Sequence, residues 1–186
     1  MGLDPCGFII RTGLNPSSLG IVRMFLVVPY QTIEVANIVI KPFYTDKKNR
    51  QLAPIYYTKG SLVTQGFTVL SPPLVVASYD GSMNRLQLNL TAQRAFANKI
   101  MAIQDLLSQT DTNMILQRLC SQNTLTLYLF PSTPIQNSGE RTTISEIRPG
   151  DTLRLAIRFH HIMRMDTSPP FLRLQHSVPV LYRTSE

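Results

Sequence analysis

The sequence has no tryptophan, only two cysteines and few carboxylates, and each shortage narrows what the chain can do. Without tryptophan, a flat platform for a stacking partner has to come from tyrosine and phenylalanine. Cys6 and Cys120 are too few for a disulfide framework, and no CxxC or Cys/His spacing marks a zinc site, so a reducing compartment is expected. Asp and Glu number 11 in 186 residues. They sit mostly in turns (Asp80, Asp111, Glu140, Glu146, Asp151, Asp166), and no two are spaced as a general acid and base. A phosphate-binding loop, a dinucleotide-binding glycine pattern and a nucleophile elbow are all missing. The longest apolar run, Ile21 to Tyr30, is interrupted by Arg23 and Pro29 and is too short to span a bilayer. Nor does it carry the small-residue cleavage pattern of a secretory signal. These shortages predict a protein that is not an enzyme, needs no cofactor or metal, and has no membrane partner.

What is present is positive charge and β-pattern. Lys and Arg number 18, for a net charge of +7, which makes polyanions the expected partners. The length suits a single domain, 1–186, with a core of its own. The clearest pattern is Leu153 to His160. Leu153, Leu155, Ile157 and Phe159 alternate with Arg154, Ala156, Arg158 and His160, which predicts a half-buried strand with a basic outer face. Arg154 and Arg158, pointing away from the core, are expected to be dispensable for folding. His160 and His161, as strand neighbours, are expected on opposite faces and therefore not to chelate one metal.

Similar strand patterns recur along the chain. They cover Phe8 to Ile10, Ile21 to Val28, Thr32 to Lys41 with a bulge near Ala36-Asn37, Ser61 to Leu70 broken at Gly66, and Leu74 to Ala77. Arg85 to Leu90, Thr124 to Phe130 and Phe171 to Val180 complete the set. Residues 1–20 read as a loop-rich arm. The period changes once, at 91–120. Phe96, Ile100, Ile103 and Leu107 recur at helical spacing after Thr91 as N-cap, and Asn113 to Cys120 reads as a second, shorter helix. The prediction is a mainly β chain with one helical insertion, arranged as a barrel or a sandwich.

Residues 41–59 combine Lys41, Lys47, Lys48, Arg50 and Lys59 with Phe43, Tyr44, Tyr56 and Tyr57, against Asp46 alone. With Pro42 and Pro54, the segment reads as a long loop or mobile hairpin. Cations that follow phosphates, interleaved with rings that stack on bases, are what single-stranded nucleic acid requires. Thr126, Tyr128 and Phe130 occupy the non-aliphatic side of their strand, so two further rings join this set. The candidate phosphate contacts are Lys41, Lys47, Lys48, Arg50, Lys59, Arg85, Arg154, Arg158 and Arg173. The candidate stacking residues are Phe43, Tyr44, Tyr56, Tyr57, Tyr128 and Phe130.

Three blocks carry a family resemblance. Tyr57-Thr58-Lys59-Gly60-Ser61-Leu62-Val63-Thr64-Gln65-Gly66-Phe67 is followed by Ser71-Pro72-Pro73; Arg85 to Leu90 runs into the Phe96–Leu107 helix; Gly150 to His161 precedes Phe171-Leu172-Arg173-Leu174-Gln175. Together these blocks resemble the OB-fold single-stranded DNA-binding proteins of nucleocytoplasmic large DNA viruses. The resemblance implies an OB-fold-like Greek-key β-barrel, with a β-sandwich as the alternative. It implies sequence-independent binding of single-stranded DNA in viral DNA replication, repair or recombination. It also implies an intracellular setting, in the host nucleus or a cytoplasmic viral factory, or packaging in the virion. The competing readings are a viral structural or assembly subunit and an RNA-binding accessory protein. Exposed strand edges would favour a homo-oligomer.

Overall fold

The computed structural model describes residues 8–12, 23–130, 132–137, 140–142 and 144–183. The expected loop-rich arm at 1–20 therefore lies mostly outside the described residues. The described chain is mainly β, with a single α-helix among the described residues.

The fold is built on the strand that the alternation predicts. It runs from Thr152 to Met165 (β14), and Leu153, Leu155, Ile157 and Phe159 are each no more than 1% exposed. One edge pairs along its length with the antiparallel Phe171–Arg183 strand (β15). The other edge is divided among three shorter strands. Leu74–Asp80 (β8) meets Thr152 and Leu153, Phe67–Leu70 (β7) meets Ala156 to Phe159, and Gln51–Lys59 (β5) meets His161 to Met163. A register shift between Phe159 and His161 inserts one extra residue in β14. The bulge moves the buried side chains from the odd positions to Ile162, which is fully buried.

The remaining strands extend this frame. Phe8–Thr12 (β1) pairs with Arg23–Pro29 (β2), which runs parallel to β7. Ile38–Ile40 (β3), Tyr44–Thr45 (β4) and Leu62–Gln65 (β6) all pair with β5. Arg85–Asn89 (β9) joins β8 to Thr124–Tyr128 (β11). Ile115–Gln117 (β10) and Ile135–Asn137 (β12) run parallel to opposite ends of β15, and Glu140–Thr142 (β13) pairs with β12. The sheet does not close. β11 has β9 on one edge and no ladder with β15 on the other. Its outward N–H groups are satisfied piecemeal, Thr126 by the Leu119 carbonyl at 2.8 Å and Tyr128 by the His176 ring at 3.3 Å.

Three expectations change here. First, of the two readings of 41–59, a long loop or a hairpin, the structure has a hairpin, in which Tyr44–Thr45 pairs with Gln51–Leu52. Residues 51–59 form the paired strand β5, and Tyr57 is 1% exposed in the core, packed on Phe67 at 5.4 Å. Alternation of Ile55 and Tyr57 with Pro54 and Tyr56 was a strand signal masked by the basic and proline content. Second, the helix Arg94–Leu107 (α1) starts after Gln93 with no side-chain cap, while the Thr91 N–H is taken by Asn89 Oδ1 at 2.8 Å. Third, 113–120 is not helical. The buried Gln104 of α1 accepts the Leu119 and Cys120 N–H groups, each at 2.7 Å, and donates to the Cys120 carbonyl at 3.0 Å. Those N–H groups are thereby withdrawn from an i→i−4 ladder, and β15 offers 115–117 an edge instead. The Thr32 to Lys41 segment likewise forms a 3-10 turn at Val35–Asn37 before β3, where a bulge is predicted.

Phe96, Ile100, Ile103 and Leu107 of α1 are buried, as their spacing predicts, and Phe96 meets Tyr30 edge-on at 5.4 Å. No helix among the described residues is long and apolar enough to cross a membrane.

Gly66 fits β7 against β14. Its φ is +73°, and an added Cβ would lie 2.9 Å from the Phe159 carbonyl oxygen and 3.0 Å from the Arg158 guanidinium. Gly60, at φ +59°, has open space around it. Gly66→Ala is therefore expected to destabilise the protein by roughly 2–4 kcal/mol and Gly60→Ala by only about 1 kcal/mol. Urea unfolding of the two variants checks this ordering; equal costs would contradict it.

Candidate nucleic-acid interface

Where β11 and β15 fail to pair, the seam opens into a groove of about 500 Å³. Tyr128 and Phe130 line one side; Gln117, Arg173, Gln175 and His176 line the other. The strand pattern explains the rings. Leu125, Leu127 and Leu129 take the buried positions of β11 and its continuation, so Tyr128 and Phe130 face out, 42% and 61% exposed. Phe130 is held by a small turn. Its N–H donates to Thr133 Oγ1 at 3.2 Å, and the Thr133 N–H returns to its carbonyl at 2.9 Å. Leaving two large rings partly in water forgoes on the order of 1–2 kcal/mol of burial each.

The charges in the groove are basic. Arg173 Nε donates to Gln117 Oε1 at 3.3 Å, and its guanidinium lies 5.8 Å from the Phe171 ring. Arg118 also lines the groove and is paired with Asp105 at 2.7 Å. Arg85 stands directly opposite Tyr128 in the β9–β11 ladder. On its other side it faces Asp80, whose carboxyl is held below its usual range mainly by hydrogen bonds from Ser82, with a smaller contribution from Arg85.

The chain's three histidines gather around the β14 bulge. The bulge overturns the expectation that His160 and His161 face opposite ways: their rings lie 6.2 Å apart. His160 Nε2 is 2.8 Å from Ser177 Oγ. His176 accepts the Tyr128 N–H on Nε2, so its proton sits on Nδ1, 3.5 Å from the Leu174 carbonyl. Burial depresses all three pKa values, with Arg158 reinforcing the effect at His160 and Arg50 at His161, where Asp46 opposes it. His160 falls from 6.5 to about 4. No group of three or more His, Cys, Asp or Glu side chains placed to hold a metal occurs among the described residues. Burial also pushes the Cys120 thiol up to about 11, in keeping with an inert packing residue.

A second cluster forms at the β4–β5 hairpin. Asp46 organises its turn, accepting the Lys48 and Arg50 N–H groups at 3.0 and 2.8 Å and the Arg50 guanidinium at 2.8 Å. The Arg50 N–H is the main cause of the lowered Asp46 pKa. Lys47 and Lys48 project from this turn, and Tyr44 is 47% exposed beside it. Lys41 Nζ lies 5.5 Å from the Tyr56 ring, and the Arg164 guanidinium covers Phe43 at 4.0 Å. Phe43 is therefore already occupied by a cation.

The remaining candidates stand elsewhere. Lys59 is opposite Leu62 at the far end of β5, and Tyr57 is in the core. Arg154 and Arg158 tie β14 to its neighbours. Arg154 Nε donates to the Ser71 carbonyl at 3.0 Å, and half-buried Arg158 donates to the Gln65 carbonyl at 2.9 Å. These bonds give both residues a role within the sheet, and a carboxylate at 158 would face a carbonyl oxygen instead of donating to it. The structure thus brings together Tyr128, Phe130 and Arg173 at the groove, with Arg85 one strand away on β9. It gathers Lys41, Phe43, Tyr44, Lys47, Lys48, Arg50 and Tyr56 at the hairpin. Gln117, Arg118, Gln175 and His176 were not singled out from sequence, since the β10–β15 pairing brings the first two to the rings and the β11–β15 seam the last two.

Compared with known proteins, the chain matches no family model, and neither a curated protein nor a solved structure resembles it significantly.

The histidine cluster has a pH consequence. A histidine whose folded pKa is depressed stabilises the fold fully above its unfolded value near 6.5, and that contribution is lost as pH falls toward the folded value, about 4 for His160. The carboxylates with lowered pKa titrate below 3.8, outside this window. Urea unfolding is expected to show stability falling between pH 6.5 and about 4, and more gently in His160→Asn. An identical slope in the variant would contradict the assignment.

Proposed function

We propose that the protein binds single-stranded DNA, without sequence preference, in the groove between β11 and β15. The observation that carries the reading is the pair of exposed rings, Tyr128 and Phe130, facing Arg173 across an open seam. Aromatic faces accept any base, and a guanidinium neutralises phosphate, so the combination suits a polymer held by stacking and charge. The net charge of +7 supports the same partner. On this reading the protein is not an enzyme. The fold is then an OB-fold-like barrel left open at one seam. The resemblance of its sequence blocks supports a place in the DNA replication, repair or recombination of a large DNA virus, inside the infected cell.

A structural or assembly subunit is the second reading. It is favoured by the apolar tip of the β5–β6 hairpin, where Leu62 and Val63 are 40% and 60% exposed beside an edge strand. Light scattering with and without an oligonucleotide separates the two, since a large assembly indifferent to DNA belongs to the second.

Fluorescence anisotropy with labelled oligo(dT) at several salt concentrations tests the first reading. Affinity is expected to fall with salt. Tyr128→Ala and Phe130→Ala are each expected to cost about 1–3 kcal/mol of binding. Arg173→Ala is expected to reduce the slope of log K against log salt by about 0.7. Salt-independent binding, or wild-type affinity in all three variants, would contradict the groove.

A further inference from the structure

The geometry points to a second subsite on the β4–β5 hairpin, reached by a DNA strand that leaves the groove and crosses the sheet over Arg173 and Met163. The inference rests on the groove reading and adds the direction of the strand and the residues at its far end.

Strand register carries the crossing. Gln117 pairs with Arg173, Arg173 with Met163, Met163 with Leu52, and Leu52 with Tyr44. Residues paired in this way share one face of a sheet, so a single row runs from the groove wall to the hairpin across five strands. Two contacts support the common face: the Arg173–Gln117 hydrogen bond at 3.3 Å and the approach of Gln175 Nε2 to Met163 Sδ at 3.8 Å. Four inter-strand spacings make the row about 19 Å long. Arg173 and Met163 are half-exposed and form the floor, whereas Leu52 is 3% exposed and covered, so the strand passes above Leu52 without touching it before it reaches Tyr44.

The two ends repeat one chemistry. The groove has Tyr128 and Phe130 with Arg173; the hairpin has Tyr44 with Lys47 and Lys48. The hairpin's own carboxylate is spent internally, because Asp46 takes the Arg50 side chain and two backbone N–H groups. Lys47 and Lys48 are thus left facing solvent. One carboxylate, Asp166, lines the recess shared by Arg50 and Met163, and a phosphate placed directly there would be repelled. Arg154 and Arg158 are not on this route; they bond to the Ser71 and Gln65 carbonyls on the β7 side.

The test compares oligo(dT) of about 4 and about 16 nucleotides on the wild-type protein and on the triple variant Tyr44→Ala, Lys47→Ala, Lys48→Ala. All three positions are exposed, so the fold is retained, and a circular dichroism melt verifies it. On the long oligonucleotide the variant is expected to bind at least about tenfold more weakly, with a salt slope reduced by about 1.4 for the two lysines. On the short one it is expected to match wild type. Unchanged affinity and slope on the long oligonucleotide would overturn the crossing, as would equal weakening on both lengths. Wild-type protein that binds neither length would instead overturn the groove reading itself.

Discussion

Every other element depends on how the backbone of β14 is paired. A strand of 14 residues has more hydrogen-bonding edge than any one neighbour covers on its second side, so β8, β7 and β5 divide it. Unpaired backbone in a buried strand is costly, and this division is what satisfies it. In the β14–β15 ladder the extra residue at His160 shifts the register between the segment that β7 covers and the segment that β5 covers. Gly66 lets β7 begin close against the Phe159 carbonyl. Arg154 and Arg158, the outward cations of β14, hold carbonyls at the two ends of the β7 segment. The basic face that reads from sequence as a binding floor is used in part to secure the fold.

The seam follows from the same pairing. β15 spends one edge on β14 and the ends of its other edge on β10 and β12, so its middle has no strand partner on that side among the described residues. β11 faces this middle, and a histidine ring, not a ladder, meets its Tyr128 N–H. A closed sheet would have filled the gap with backbone. The open seam leaves room for half-exposed rings and for arginines held at its rim, Arg173 by Gln117 and Arg118 by Asp105. The cost is exposed aromatic surface and an irregular edge, both of which a bound strand would cover.

Much of the fold was legible in the sequence because alternation is a local signal. Leu153 to Phe159, Arg85 to Leu90 and the Phe96–Leu107 stripe each declare their element through a few neighbours. Elements decided at a distance were not legible. Residues 113–120 carry a helix-compatible spacing, and only Gln104 from α1 and the free edge of β15 convert them to a strand and its extension. Tyr57 resembles Tyr56 in sequence, and only its side of β5 puts it in the core. For the candidate site, residue types were informative and grouping was not. Tyr128, Phe130 and Arg173 were singled out individually by outward-facing rings or charge, but their convergence across a seam between non-adjacent strands depends on topology. The polar residues that complete the groove, Gln117 and His176 among them, carry no local signal.

The central claim is that a single strand of DNA lies against Tyr128 and Phe130. Photocrosslinking with an oligonucleotide bearing 5-iododeoxyuridine, followed by peptide mass spectrometry, tests it most directly because it reports contact and not affinity. Crosslinks on Tyr128 and Phe130 are the expected result. Crosslinks confined to the β6–β7 side of the sheet, around Gln65 and Ser71, would contradict it.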